Sequence, residues 1–197
     1  MPVTYTNRKG VTYTLCRVGT KTGKARYVFV RDPTGRQTVA KIPEGREIRE
    51  SVNGVVSLAQ ARQQHLLPAE VEVVQMALDA HPKTHNYRLD VKPKRLVIYE
   101  REGPDADALF EALQSCGGVG VSSDLEQRLR DDMERYRRFM PILRFTLTDA
   151  ATRDFCAERW CFLGSIDDWI FVDSGSLVDM AQAQVPTLGT DAFFELY

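Results

Sequence analysis

Val11-Thr12-Tyr13-Thr14-Leu15-Cys16 and Ala25-Arg26-Tyr27-Val28-Phe29-Val30 decide how the front of this 197-residue chain folds. The first stretch alternates, with Val11, Tyr13 and Leu15 on one face. The second is dense in aromatic and β-branched residues, so both read as strands. Between them Gly19-Thr20-Lys21-Thr22-Gly23-Lys24 is a polar, glycine-bearing hairpin loop. Outward from this pair, Asp32-Pro33-Thr34-Gly35 is a turn with Pro at its second position. Gln37 to Ile42 reads as a third strand, and Pro43-Glu44-Gly45 as another turn. Glu47 to Glu50 and Val55 to Leu58 read as a further hairpin around Asn53-Gly54, a two-residue turn signal. The front of the chain is therefore an antiparallel β meander.

The pattern changes after residue 62. Pro68 opens a helix reaching about Ala80, with Val71, Val74 and Leu78 as its apolar stripe. Tyr87 to Val91 and Leu96 to Tyr99 form a hairpin through Lys92-Pro93-Lys94-Arg95. Gly103-Pro104 reads as a boundary. Beyond it Asp105 caps a helix holding Leu109, Ala112 and Leu113, which Gly117-Gly118 stops. Ser123 and Glu126 form a capping box for the next helix. Its stripe is Leu125, Leu129, Met133, Tyr136 and Met140, with Pro141 at its end. Glu126–Arg130, Asp131–Arg135 and Glu134–Arg138 are i,i+4 pairs in the favourable order. A strand over Leu143–Leu147, a hairpin with arms Arg159–Leu163 and Trp169–Val172, and helices starting at Ser176 and Thr190 complete the chain. The expectation is an α+β fold in two domains. Residues 1–103 carry the basic β meander and a helix–hairpin middle, and residues 104–197 an acidic α+β part.

Charge supplies the main functional signal. Residues 1–62 hold 12 Lys/Arg against 4 Asp/Glu, residues 63–103 hold 6 against 6, and residues 104–197 hold 8 against 17. A near-neutral total hides a basic front and an acidic back, which points to a polyanion-facing end. All seven lysines lie at or before Lys94. Lysine is a mobile point charge, whereas the later arginines sit among carboxylates suited to directional pairing. No apolar run approaches the ~20 residues that cross a bilayer, and the start lacks the apolar core of a signal peptide. Cytoplasmic location follows as the expectation. Cys16, Cys116, Cys156 and Cys161 then stay reduced.

Arg8, Lys9, Arg17, Lys21, Lys24, Arg26 and Arg31 are interleaved with Tyr5, Tyr13, Tyr27 and Phe29. Cations meet phosphates and flat rings stack on bases, so this pattern reads as a DNA or RNA surface, with Tyr27 among its contacts. The bland alternative is a solvated basic face over a core that owns the rings. Four other patterns are weaker. Cys156-x4-Cys161 with His81-x3-His85 approaches zinc spacing, but the apolar neighbours Phe155, Trp160 and Phe162 favour buried structural cysteines. Asp90-Val91-Lys92 with Glu70 or Glu72 faintly has the composition of a nuclease metal site. Gly117 to Ser123 precedes a helix but lacks the P-loop lysine. Asp167, Asp168 and Asp173 around Trp169 offer carboxylates to a cation. No motif calls for a cofactor, and no nucleophile signature surrounds any cysteine.

The opening Tyr5-Thr6-Asn7-Arg8-Lys9-Gly10 and the close Phe193-Phe194-Glu195-Leu196 resemble those of bacterial proteins that have no assigned activity. The resemblance implies a bacterial origin and carries no function. The leading functional expectation is a non-enzymatic nucleic-acid-binding protein whose acidic part binds a partner or competes for the basic face. The alternative is a protein-interaction module that docks a basic protein through Asp167, Asp168 and Trp169, together with Trp160, Phe193 and Phe194. A metal-dependent nuclease is the third.

Overall fold

The computed structural model describes residues 1–19, 25–103, 106–115, 122–162 and 167–195. It is an α+β protein with two compact units, Met1–His65 and Leu66–Tyr197.

The first unit holds β1 (Thr4–Thr6), β2 (Thr12–Gly19), β3 (Ala25–Val30), β4 (Gln37–Thr38), β5 (Arg46–Glu50) and β6 (Val56–Gln60). One edge of β2 pairs with β3 from Thr14 to Gly19. Its other edge is shared, with β1 opposite Thr12 to Thr14 and β4 opposite Cys16 and Arg17. Leu15 is the changeover point. Its N–H donates to the Val3 carbonyl at 2.9 Å, its own carbonyl accepts from the Val39 N–H at 2.9 Å, and Val3 N–H donates to Val39 at 2.8 Å. This sharing shortens the third strand to Gln37–Thr38, where Gln37 to Ile42 is expected: two residues beyond Cys16 along β2, Thr14 is already taken by Thr4. Leu15 and Cys16 are fully buried. As neighbours on a strand they face opposite ways, so the sheet centre is covered on both sides.

Hairpin β5–β6 turns at Gly54, whose φ of +78° suits glycine alone. A Cβ there would meet Asn7 Nδ2 at 3.1 Å. Asn7, itself buried, donates from Nδ2 to the Gly54 carbonyl at 2.7 Å. Its Oδ1 accepts from the N–H groups of Lys9 (3.0 Å) and Val11 (2.9 Å). One amide thus shapes the β1–β2 turn and fastens it to the hairpin.

The second unit runs α1 (Pro68–Asp79), β7 (Tyr87–Lys92), β8 (Arg95–Arg101), α2 (Ala106–Ser115), α3 (Ser123–Tyr136), β9 (Phe139–Asp149), β10 (Asp154–Phe162), β11 (Asp167–Gly175) and α4 (Leu177–Gln184). Its antiparallel sheet has the order β11-β10-β9-β8-β7. Because β8 pairs with β9, from Arg101↔Phe139 to Arg95↔Thr146, the sheet spans the turn at Gly103, and the hairpin 87–101 belongs with the C-terminal strands. Leu96, Ile98, Leu143, Phe145, Phe155 and Ala157 form the core with Val74 and Leu78 of α1 and Leu177, Met180 and Ala181 of α4. At the start of α1, Leu67 has no polar side chain to cap with, so Glu70 reaches back to its N–H at 2.7 Å. Helix α3 ends at Tyr136 and not at Pro141, because Met140 and Pro141 pair with Glu100 and Tyr99 in the sheet. The proline is tolerated beside a register shift between Ile98 and Tyr99. Among the described residues, no helix is long and apolar enough to cross a membrane.

Candidate nucleic-acid interface

Register sorts the basic residues of the first unit. Directly paired residues share a face, so Arg17↔Tyr27 and Arg17↔Gln37 place Gln37, Arg17 and Tyr27 in one row across β4, β2 and β3. Tyr13 lies on the same face, four residues before Arg17, and pairs with Tyr5. The Arg31 guanidinium carbon stands 5.7 Å from the centre of the Tyr13 ring. Arg17 and Arg31 are exposed, while Tyr5, Tyr13 and Tyr27 are half-buried. Strands β1 to β4 contain no Asp or Glu.

The remaining candidates separate. Arg26 is exposed but pairs with Val18, which puts it on the opposite face. Arg8 is tied down: its Nε donates to Glu50 Oε1 at 2.9 Å, and its backbone N–H does the same. Glu50 also accepts the Tyr5 hydroxyl at 2.9 Å. Burial pushes the Glu50 carboxyl up, but the Arg8 N–H, the Tyr5 hydroxyl and the Arg8 guanidinium outweigh it and hold the group below its ordinary value. The same bond raises the Tyr5 hydroxyl. The Lys9 stem packs beside Gly54, in the Asn7 turn. Lys21 and Lys24 lie outside the described residues.

In the second unit Trp169 lies in a packed network. The Arg144 guanidinium carbon is 4.3 Å from the Trp169 ring centre, and Arg144 clasps Glu158 through two bonds of 2.6 Å. Trp160 meets Trp169 edge to face at 5.3 Å. Asp168 turns back on its own strand and accepts the Trp169 N–H at 2.7 Å. Asp167 and Asp168 are exposed at the start of β11, an outer strand, and Phe171 beyond them is 60% exposed. Phe193 is buried in the core and Phe194 is exposed.

The other patterns come apart. His81 is buried, donating from Nε2 to the Leu188 carbonyl (3.2 Å) and accepting the Lys83 N–H at Nδ1 (3.1 Å), so neither nitrogen has a lone pair left for a metal. Cys156 and Cys161 stand five apart on β10 and face opposite ways. Burial and then the nearby Glu158 charge push the Cys156 thiol up. Glu70 is occupied by Arg153, whose guanidinium straddles both carboxylate oxygens at 2.6 Å. Asp90 sits 3.8 Å from Lys92 on β7. Its neighbour Leu89 packs against the core that α1 helps to build, so Asp90 points away from Glu70. Asp173 accepts its neighbour's N–H. Among the described residues, no three His, Cys, Asp or Glu side chains are grouped to hold a metal. Gly117 to Val121 lie outside the described residues.

Sequence reasoning missed Gln37 as a neighbour of Arg17, because the register of β4 is set by its share of the β2 edge and not by its own residues. It also missed Arg144, although the alternation of Leu143, Phe145 and Leu147 already set that arginine on the other face. Comparisons with protein-family models, curated proteins and solved structures return no match to this chain.

Proposed function

We propose that the Met1–His65 unit binds nucleic acid without catalysing a reaction, in the cytoplasm, through the face bearing Arg17, Arg31, Tyr13, Tyr27 and Gln37. One observation carries the reading: Arg17 with Tyr27 and Gln37, and Arg31 with Tyr13, share one face of strands that hold no acid, on either side of the buried Leu15. Arginine supplies charge-assisted bonds to phosphate, and an exposed ring edge or face supplies base stacking. Lys21 and Lys24, between β2 and β3 in the sequence, add to the phosphate contacts on this reading.

The test uses the full-length protein and labelled single strands and duplexes of DNA and RNA across a salt series. Wild-type log K is expected to fall with log salt, by about 0.9 per phosphate contacted on a duplex and about 0.7 on a single strand. R17E/R31E is expected to flatten that slope by two contacts. K83E/K94E makes the same charge change in the other unit and should leave the slope alone. Equal weakening by both variants, or no wild-type binding at low salt, overturns the site. Tyr27→Ala should weaken single-strand binding by about 1–3 kcal/mol per base stacked and leave the salt slope unchanged.

A second reading rests on Phe171, exposed on outer strand β11, where Asp167 shares its face and Asp168 and Asp173 lie on the other. An exposed apolar anchor on a strand that starts with two carboxylates suits a cationic protein surface. Calorimetry with a defined polylysine decides it. Binding that survives in D167K/D168K removes this reading.

A further inference from the structure

We propose that α3 is the contact surface for a second copy of this chain, the two α3 helices packing antiparallel about a twofold axis. Leu125, Leu129, Met133 and Tyr136 are spaced by four, four and three residues, which lines them along one face of the helix. In the structure Leu125 is 50% exposed, Leu129 38% and Tyr136 71%. A short amphipathic helix owes its stability to burying such a face.

Among the described residues, α2 meets one flank of α3, and Arg101, Glu102 and Gly103 line a hollow with Met133 and Tyr136. Arg130 stands 4.9 Å from the buried Phe110 ring of α2 and bridges to Glu126 at 2.8 Å. The opposite flank carries Asp124, Arg128, Asp131 and Arg135, all exposed, at spacings of four, three and four. That row reads acid, base, acid, base. Read backwards it is base, acid, base, acid, so it complements itself in one orientation. In an antiparallel pair Asp124 meets Arg135 of the second copy, and Arg128 meets its Asp131 and Asp132. In a parallel pair like charges meet. The same residues also suit i,i+4 pairing within one helix, and Gln127 already donates to Asp131 at 2.9 Å. The second copy therefore adds burial of the leucines and Tyr136, and the charges set direction. An isologous contact of this kind closes at two copies.

Sedimentation velocity of the full-length protein from about 1 to about 100 μM tests this, a range that brackets micromolar association. A monomer–dimer equilibrium is expected. L125E/L129E should be monomeric throughout, with a tryptophan unfolding transition that matches dilute, monomeric wild type because both leucines are already exposed. Arg128→Asp should raise the dimer dissociation constant by about tenfold, since a twofold contact counts the change twice. The row-reversed variant D124R/R128D/D131R/R135D should dimerise with itself and fail to pair with wild type. A wild-type monomer over the whole range overturns the proposal. So does a dimer indifferent to L125E/L129E, or a row-reversed chain that pairs with wild type as readily as with itself.

Discussion

The two units of this protein are each stabilised by different means. In the Leu66–Tyr197 unit, alternating strands present Leu96, Ile98, Leu143, Phe145 and Phe155 to α1 and α4, and the result is a continuous apolar core. In Met1–His65, Leu15, Cys16 and Val52 are the buried hydrophobic residues among those described. There Asn7 and Glu50 join the hairpin β5–β6 to the rest of the unit through side-chain hydrogen bonds. The difference bears on function. A sheet that does not sequester its rings in a core keeps tyrosines half-exposed beside arginines, where a ligand reaches them. A sheet that does sequester them spends its aromatic residues on stability.

The largest effect should come from the apolar core. Phe145 is fully buried, and Phe145→Ala is expected to destabilise its unit by about 3–5 kcal/mol through lost contacts and the cavity left behind. Both tryptophans, Trp160 and Trp169, lie in that unit, so denaturant unfolding followed by tryptophan fluorescence reads it directly. A loss under about 1 kcal/mol would show that the cluster does not dominate the unit.

The smaller unit should break at a polar residue. Asn7→Ala removes three hydrogen bonds and leaves the Gly54 carbonyl and the Lys9 and Val11 N–H groups without that partner. At about 1 kcal/mol each, the cost is expected to be about 2–3 kcal/mol. Hydrogen exchange at Leu15, whose N–H donates to the Val3 carbonyl and keeps that partner in the variant, is the probe, since tryptophan fluorescence does not report on this unit. A variant whose exchange there matches wild type would break the contrast between the two units.

An intermediate effect is expected where a charged side chain does structural work in the larger unit. Glu70 caps α1 and grips Arg153, the residue with φ of +61° in the β9–β10 turn. The pair is only partly exposed, at 13% and 28% of the side chains. Glu70→Gln keeps much of the cap and loses the ion pair, so it should cost about 1–2 kcal/mol in the tryptophan transition. If Glu70→Gln is neutral, the cap alone suffices.

Most elements were legible because their signals are local. Tyr13, Leu15, Tyr27 and Phe29 alternate or cluster as strands do, Asn53-Gly54 makes its hairpin, and Val74 and Leu78 mark the buried side of α1. What failed was non-local. Strand β4 is short because β1 already holds Thr14, and nothing near Gln37 encodes that. Met140 continues a helical stripe in sequence, yet Glu100 claims it as a strand partner. The candidate site was legible as a list of basic and aromatic residues and not as a surface. Register decides that Arg17 shares a face with Tyr27, that Arg26 faces away, and that Arg8 is held by an acid 42 residues distant.

Glu50 gives the finest test of the contrast, because it makes one polar tie titratable. Its carboxyl is held below its ordinary value in the fold. A group depressed in this way contributes stability that is fully present above its unfolded value, about 4.3 for glutamate, and that drains away as pH falls through the folded value. Wild type should therefore lose stability in the smaller unit below about pH 4, while Glu50→Gln, already without the charge, changes less in that window. At neutral pH the variant should be weaker by roughly 1–2 kcal/mol, the scale of hydrogen bonds to a charged group. The difference between the two proteins should shrink on acidification. Tyr5 supplies the opposite limb. Its hydroxyl is raised by the bond to Glu50, so its contribution is complete below the ordinary tyrosine value near 10 and fades as pH rises past it. Exchange at Val11 measured against pH in both proteins reads the two limbs together. A gap between them that stays constant from acid to neutral pH would mean that the Glu50 charge does not hold the hairpin, and Asn7 would then be the tie that matters.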